Sequence, residues 1–297
     1  MSLPLSSTSH RQILSHFIMR RKIRVLIVVL GSVLLVLGGW AFWWEPSRLT
    51  QKQYDIALNP WPSACDGLMV AVIADLHVGS PHFDLPKLEE VVNLVNKAKP
   101  DVVLLGGDYL IQSVVGGSFV NPEPIAQELQ KLHATIGVYS VLGNHDWWFD
   151  GQRVKNALED VGIPVLEDEA IEVEFQECRF WLVGIGDYWE RAHNIEKAFR
   201  DVPNDVPVLV LTHNPDVFVD LPTGVSITFA GHTHGGQVNL PFVGPLVTMS
   251  QYGQRFAVGH IEENGKHLFV SPGLGTSILP VRFRVPPEVS FLVLSDE

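Results

Sequence analysis

The chain is short of cysteine, and most of it is short of basic residues. Its 297 residues include only Cys65 and Cys178, too few for the disulfide framework of a small secreted domain. An oxidising compartment would permit a bridge between them, but two unpaired thiols are the favoured interpretation. From residue 45 onward, 16 basic residues stand against 33 acidic ones, a net charge of −17. This balance argues against binding a nucleic-acid polymer, which needs a basic surface, and the sequence implies no protein partner.

The N-terminal region has no acidic residue in its first 44 positions, and no charge at all from Val25 to Trp44. Twenty uncharged and mostly apolar residues are enough to cross a bilayer as a helix. The stretch ends in an aromatic cluster of the kind found at membrane interfaces: Trp40, Phe42, Trp43 and Trp44. A cleaved signal peptide is the alternative, but the apolar core is too long and lacks a small-residue cleavage site.

Basic residues before this stretch indicate its orientation. They are Arg11, Arg20, Arg21, Lys22 and Arg24. By the positive-inside rule, residues 1–22 form a basic cytoplasmic tail and residues 23–44 a single transmembrane helix of the inner (cytoplasmic) membrane. Residues 45–63, which contain Pro46, Pro60 and Pro62, are predicted to be a tether. Residues 64–297 then form one domain facing the periplasm or the exterior.

Short apolar runs in this domain predict strands buried on both faces. They span 68–74, 102–105, 138–142, 208–211 and 225–230. Amphipathic segments between them, such as Leu85 to Ala98, predict helices. The order of these elements predicts an α/β fold with two packed mixed β-sheets flanked by helices.

Each of the five runs ends at a polar segment. In order, these are Asp75-Leu-His77, Gly107-Asp108, Gly143-Asn-His-Asp146, Thr212-His213 and Gly231-His-Thr-His234. Carboxylates and imidazoles suit Mn²⁺, Fe and Zn²⁺. Two such ions about 3.5–4 Å apart clamp the attacking and leaving oxygens of a phosphoryl displacement. Any one segment is weak evidence: His232 and His234 alone could be two faces of a strand, although flanking glycines favour a loop.

Together the segments resemble the motifs of the calcineurin-like metallophosphoesterases, over residues from about 66 to 294. The resemblance implies a sandwich with two sheets between helices, and two divalent metal ions. It implies that Asp75, His77 and His234 hold one ion. Asn144, His213 and His232 would hold the other. Asp108 would bridge the two, and His145 would contact the phosphate and assist the leaving group.

The implied charges suit an anionic substrate. Two dications and the carboxylates of Asp75 and Asp108 leave the site net positive. We expect hydrolysis of a phosphodiester or pyrophosphate by a hydroxide held between the metals. A lipid-linked pyrophosphatase of the UDP-diacylglucosamine type and a phosphomonoesterase are alternatives. A non-enzymatic phosphate-binding protein is the alternative of another class, and the complete ligand set argues against it.

Two further features indicate which branch of this family the chain resembles. Residues 107–112 lack the additional Asp and Arg of the protein phosphatase motif GDxxDRG, which argues against a Ser/Thr protein phosphatase. The C-terminal segments Gly235-Gly-Gln237, Pro272-Gly-Leu-Gly275 and Leu279-Pro-Val-Arg282 resemble small membrane-linked bacterial phosphodiesterases described as YkuE- or YaeI-like.

The remaining candidates lie beside these motifs. We expect Asp146 to orient a neighbouring imidazole rather than to bind metal. Trp147, Trp148 and Phe242 could contact the substrate or a lipid, with local packing as the alternative. Arg282 could bind a second phosphate, although an ordinary surface salt bridge is the favoured interpretation.

Overall fold

A long apolar helix opens the described part of the chain. The computed structural model describes residues 8–190 and 193–296, with only the backbone described for residues 8–14. Residues 1–7 of the predicted tail and Glu297 at the end of the predicted domain lie outside this range. Helix α1 (Thr8–Gly39) continues through a π-helical turn (Trp40–Trp44) into the short α2 (Glu45–Ser47). Residues 15–47 are long and apolar enough to cross a membrane.

The rest of the chain is built on two mixed sheets, as predicted. The first has the order β1-β13-β2-β3-β4 and the second the order β11-β12-β8-β7-β6-β5. The strands of the first sheet are β1 (Thr50–Leu58), β2 (Leu68–Ile73), β3 (Val102–Leu105), β4 (Gly137–Ser140) and β13 (Glu288–Asp296). Those of the second are β5 (Glu169–Phe175), β6 (Cys178–Ile185), β7 (Val208–Thr212), β8 (Ile227–Ala230), β11 (Gly259–Glu263) and β12 (Lys266–Val270). A small hairpin of β9 (Asn239–Leu240) and β10 (Gly244–Pro245) stands apart.

Successive side chains of the central strands point to opposite faces, and both faces are buried. This explains why these strands are continuous apolar runs in the sequence. In β2, Val70 and Val72 pack between the two sheets, while Ala71 and Ile73 pack under the helices. In β7, Leu209 and Leu211 likewise face the space between the sheets. Both faces of each strand are therefore buried, and the apolar area removed from water stabilises the sandwich.

Helices cover the outer face of the first sheet. They are α3 (Leu85–Ala98), α4 (Pro122–Leu129) and α5 (Asn144–Glu159), and the short α6 (Ile195–Ala198) lies against the second sheet. Helix α3 begins where Asp84 accepts a hydrogen bond from the Lys87 amide, and it ends at the left-handed Lys99 before Pro100. The helical layers match the sequence prediction.

The segment predicted to be a tether is part of the folded sheet. Residues 50–58 form β1, which pairs in parallel with β13 from Thr50–Glu288 to Leu58–Asp296. Only Arg48 and Leu49 separate α2 from β1. The prediction missed this strand because its partner lies more than 200 residues away in the sequence.

The prediction of two unpaired thiols is wrong. Cys65 and Cys178 form a disulfide with their sulfur atoms 1.99 Å apart. Cys65 precedes β2 of the first sheet and Cys178 begins β6 of the second, so the bond joins the two layers. Their sequence separation of 113 hid this proximity from any local pattern.

Candidate metal centre

The C-terminal ends of strands from both sheets meet at one edge of the sandwich and bring the five polar segments together. Asp75 and His77 follow β2, and Asp108 follows β3. Asn144 and His145 begin α5 after β4. His213 follows β7, and His232 and His234 follow β8. Crevices at the carboxyl ends of parallel strands are the usual binding sites of α/β sheets.

The backbone at this edge is held in an uncommon conformation. Asp75, His77, Asp108, His232 and His234 all have positive φ, between 42° and 71°. Non-glycine residues rarely adopt this region, and such strain concentrates at functional sites. Gly143 also has no room for a side chain, because a Cβ there would lie 2.2 Å from Oδ1 of Asp108. The glycine thus lets the start of α5 approach the carboxylate.

Donor atoms converge into two groups. In the first, Nε2 of His234 lies 3.0 Å from Nε2 of His77 and 3.5 Å from Oδ1 of Asp75. In the second, Nε2 of His213 lies 3.2 Å from Oδ1 of Asn144 and 3.1 Å from Nδ1 of His232.

Asp108 lies between these groups. Its Oδ2 is 3.6 Å from Nε2 of His77, in the first group, and 3.3 Å from Nε2 of His213, in the second. One carboxylate oxygen of Asp108 therefore faces potential metal-ligand atoms of both groups. This placement matches the bridging position that the family resemblance implies for Asp108.

Hydrogen bonds on the far side of the rings fix three imidazole tautomers. Nδ1–H of His77 donates to the carbonyl oxygen of Leu110 (3.1 Å), and Nδ1–H of His213 donates to that of Gly106 (2.7 Å). Nε2–H of His232 donates to the carbonyl oxygen of Met249 (3.0 Å). Since a carbonyl oxygen can only accept, the nitrogen that faces the cluster keeps its lone pair in each neutral ring.

The electrostatics of the cluster keep two of its imidazoles neutral and favour positive charge at the third. Burial lowers the pKa of His77 and that of His232 to about 3, so both rings are neutral at pH 7. Burial would also lower the pKa of His213, but the carboxylates of Asp108, Asp75 and Asp187 raise it to about 10. The carboxylates thus stabilise positive charge at Nε2 of His213, which is what a metal ion among the same oxygens supplies.

The residues present fit two divalent ions. Ligands bonded at about 2.0–2.2 Å to one ion stand about 3.0–3.5 Å from each other, which is the range of most of the contacts above. Three groups of acidic and imidazole side chains have ligand atoms within 4.8 Å of one another: Asp75, His77 and His234; His77, Asp108 and His145; Asp108, His213 and His232.

Asp146 supports the site differently from our expectation. Its carboxylate accepts hydrogen bonds from the backbone amides of Asp108 (2.8 Å), Tyr109 (2.9 Å) and Gly143 (2.9 Å). It therefore holds the strained Asp108 loop against the start of α5, whereas we expected it to orient an imidazole. The amide groups of that loop point at Asp146 because the backbone turns sharply at Gly107.

His145 lies beside both groups. Its ring packs edge-on against His77 at 4.6 Å between centroids and tilts against Trp148 at 4.6 Å. Its backbone amide donates to Oδ1 of Asp108 (2.9 Å), but its buried Nδ1 has no hydrogen-bond partner in residues 8–190 and 193–296. Burial lowers its pKa, so the ring is neutral at pH 7.

A cavity of about 570 Å³ opens above the cluster. Asp108, Asn144, His145, His232 and His234 form its polar floor. Its walls are mainly apolar and include Trp148, Trp189, Leu246, Val247, Ile278 and Leu279. An anionic group can thus reach the floor while a hydrophobic group contacts the walls.

The four substrate candidates separate in the structure. Trp148 lines the cavity and is 48% exposed. Phe242 is fully exposed in the loop beyond the wall. Trp147 instead packs on Gly151 and the hydrophobic core, so the packing alternative holds for it.

Both interpretations of Arg282 are wrong, because this side chain is completely buried. Its guanidinium donates to the carbonyl oxygens of Pro272 (3.0 Å), Gly275 (2.6 Å) and Val285 (3.0 Å), and NH2 lies 3.5 Å from Nδ1 of His234. It can reach neither solvent nor a second phosphate. Its acceptors are backbone carbonyls, which a sequence motif does not reveal.

Sequence reasoning also missed Asp187 and Trp189. Asp187 is buried just after β6, and its charge acts on His213. An apolar run, Phe180 to Ile185, precedes Asp187, just as apolar runs precede the metal motifs. This pattern is the signal that could have identified Asp187. The Trp189 ring stands edge-on to His232 with centroids 4.3 Å apart, and no motif marks it.

Comparison with known proteins agrees with this geometry. Residues 68–236 match the calcineurin-like phosphoesterase family. The chain is 31% identical to the phosphodiesterase YaeI of Escherichia coli over 76% of this chain and 81% of that protein. It is 28% identical to the metallophosphoesterase YkuE of Bacillus subtilis, over 86% and 89% of the two chains. It is 25% identical to the UDP-2,3-diacylglucosamine pyrophosphatase LpxG of Chlamydia trachomatis, over 85% and 91%. The chain therefore belongs to the calcineurin-like phosphoesterase family and is a metal-dependent phosphoester hydrolase.

Proposed function

We propose that the protein is a membrane-anchored hydrolase of phosphodiester or pyrophosphate bonds with a two-metal centre. Asp75, His77 and His234 would hold one ion, Asn144, His213 and His232 the other, and Asp108 both. The observation that carries this assignment is the position of Asp108, whose Oδ2 faces donors of both groups at 3.3 and 3.6 Å. Metals of the Mn²⁺, Fe or Zn²⁺ type suit these donors.

The metal ions and the side chains would have different roles in the reaction. When bound, two dications polarise a phosphoryl oxygen and lower the pKa of water to about 7. His145 lines the cavity floor as a neutral ring and can give one hydrogen bond to a phosphoryl or leaving-group oxygen. Asp146 holds the Asp108 loop in place through three amides. Both cysteines are in a disulfide, so no thiol is available as a nucleophile.

The cavity walls favour a substrate with a hydrophobic part. Trp148, Leu246 and Ile278 are about half exposed beside the polar floor. Exposed apolar surface at a binding site marks contact with an apolar group. The printed name of one relative describes a pyrophosphatase of a diacylated nucleotide sugar. A lipid-linked phosphodiester or pyrophosphate is therefore the substrate class that we propose.

Two features support a position of the catalytic domain on the outer side of the cytoplasmic membrane. The apolar helix is preceded by basic residues, so the positive-inside rule places the domain on the far side, in the periplasm or the exterior. The Cys65–Cys178 disulfide persists in an oxidising compartment and is uncommon in the cytosol.

The Asp108→Asn variant tests the two-metal assignment. Removing the charge shared by both groups should lower bound metal and reduce turnover of bis-p-nitrophenyl phosphate by about a thousandfold or more. Metal analysis and a colorimetric assay on the full chain in detergent measure both. The matched control is Asp55→Asn, an exposed residue of β1. Full activity of the Asp108 variant, or of metal-stripped protein, would refute the proposal.

A further inference from the structure

Three segments around the cavity mouth contain no charged side chain, in a protein with a net charge of −12. They are residues 109–120, 235–254 and 271–281. Each presents large apolar side chains to the outside. We call the following exposed residues the apolar rim: Val115, Phe242, Val243, Leu246, Val247, Met249, Ile278 and Leu279. A contiguous exposed apolar patch of this kind marks a binding surface.

Hydrogen bonds tie the three segments into one surface. The amide of Val115 donates to the carbonyl oxygen of Ile278 (3.0 Å). The Gln237 side chain donates to the carbonyl oxygens of Ser277 (3.1 Å) and Leu279 (3.3 Å) and accepts from the Ser277 amide (2.7 Å). The apolar rim is therefore a fixed edge of the cavity mouth.

The end of the apolar helix is fastened beside this edge. The amide of Arg282, one residue after the third segment, donates to the carbonyl oxygen of Ala41 (2.9 Å). His82 donates from Nε2 to the carbonyl oxygen of Phe42 (3.0 Å), and the rings of His82 and Trp43 meet edge-on at 5.9 Å. The helix thus does not swing freely from the domain.

These contacts fix the depth of the apolar rim. Ala41 lies three residues before Trp44, the last uncharged residue of the span, and hence about 5 Å inside its end at 1.5 Å per residue. Leu279 and Val281 closely precede Arg282, whose amide contacts Ala41, so they lie near the level of the aromatic residues Trp40 and Trp43. Aromatic residues of this kind mark the membrane–water interface.

We propose that the apolar rim enters the interfacial layer of the leaflet from which the helix emerges, so that the cavity opens onto the lipid surface. A phosphoester could then reach the polar floor while its hydrocarbon chain stays in the leaflet. The inference rests on the membrane anchoring given under the proposed function and deepens its substrate class. A bilayer suits this surface better than a protein partner does, because the spanning helix already holds it at the interface and its segments carry no charge to specify a partner.

The direct test measures depth in the bilayer. The full chain is reconstituted in vesicles of phosphatidylethanolamine and phosphatidylglycerol with a fluorescent label at Val243→Cys, Gln176→Cys or Val28→Cys. Gln176 is the control, because the β5–β6 turn lies at the other end of β6, about 26 Å from the site. Spin-labelled phospholipids should quench the label at positions 243 and 28 but not at 176.

The outcomes separate the inference from the proposed function. Quenching at position 28 without quenching at 243 would overturn the apolar-rim inference and leave the anchoring intact. Cross-linking between copies through position 243, in place of quenching, would identify an interface between chains and would also overturn it. No quenching at 28 would refute the anchoring on which both rest.

An activity assay gives an independent readout. Val243 is exposed and does not line the cavity, so Val243→Asp places a charge on the apolar rim without changing the floor. Hydrolysis of a phosphodiester lipid in vesicles should fall by about tenfold, because a carboxylate is repelled by the anionic lipid surface and is costly to bring against its hydrocarbon. Hydrolysis of bis-p-nitrophenyl phosphate should stay within about twofold. Gln176→Asp is the matched control, and equal losses on both substrates would contradict the inference.

Discussion

Arg282 is a buried cation that links several backbone segments at the edge of the metal centre. Burial lowers its pKa to about 10, partly offset by Asp75, so it remains charged at neutral pH. Its planar guanidinium reaches the carbonyl oxygens of residues 272, 275 and 285 together with the His234 ring. An ammonium group cannot cover acceptors spread in this way. We infer that Arg282, through its bonds to these carbonyl oxygens, fixes the backbone that packs against the His234 ring rather than touching the substrate.

Substitution of Arg282 by lysine tests this role. Unsatisfied carbonyl oxygens should lower the free energy of unfolding by about 2–4 kcal/mol. A displaced His234 should also weaken metal binding, which a merely structural role would leave unchanged. Chemical denaturation and metal titration of the full chain measure the two effects. The exposed neighbour Arg284→Lys is the control, and unaltered metal affinity in the Arg282 variant would refute the positioning role.

Trp147 and Trp148 are adjacent but have opposite environments. Trp147 packs on the core, so Trp147→Ala should lower the free energy of unfolding by about 2–3 kcal/mol through the cavity it leaves. Trp148→Ala should cost about 1 kcal/mol or less but reduce kcat/KM for a lipid phosphoester. Thermal unfolding and kinetics on one soluble and one lipid substrate distinguish the two. A large stability loss at Trp148 would assign it to packing instead.

At the scale of elements, the disulfide joins the two sheets of the sandwich. It closes a loop with a sequence separation of 113 between residues that precede β2 and begin β6. Constraint of so long a loop in the unfolded chain is expected to stabilise the fold by about 2–5 kcal/mol.

Replacing both cysteines by alanine tests that contribution. The double variant should lose about 2–5 kcal/mol in free energy of unfolding but keep its metal, because Cys178 begins β6 and the metal centre lies beyond the other end of this strand. Reductant should destabilise the parent protein by a similar amount and have no effect on the variant. Equal stability of parent and variant would show that the bond adds nothing to the fold.

Strand β1 determines how the apolar helix and the domain are connected. Because β1 pairs with β13 along its full length, the flexible part between helix and sheet is reduced to Arg48 and Leu49. A flexible tether over residues 45–63, as the sequence predicted, would have let the domain move relative to the helix. The observed connection instead keeps the metal centre close to the end of the helix.

For the whole molecule, the distribution of charge predicts its topology. Basic residues lie before the helix, and nearly all acidic residues lie after α2. An alkaline phosphatase fused after residue 297 should be active, and a cytoplasmic reporter at that position should be silent. Replacing Arg20, Arg21, Lys22 and Arg24 by glutamine should weaken this preference. The reverse pattern in the parent protein would place the catalytic domain in the cytosol.

The sequence by itself predicted which side chains converge at the candidate metal centre and which elements present them. Asp75, Asp108 and His213 lie within three residues of the ends of apolar runs. The residue type and the preceding run are both local features, so these residues could be identified without knowledge of the fold. The uncharged helix was identifiable for the same reason. Only the tertiary structure decided that Cys65 meets Cys178, that β1 joins β13, and that Arg282 is buried beside His234. These contacts join residues far apart in the chain, and hydrophobic periodicity reports which face of an element is buried but not what it packs against.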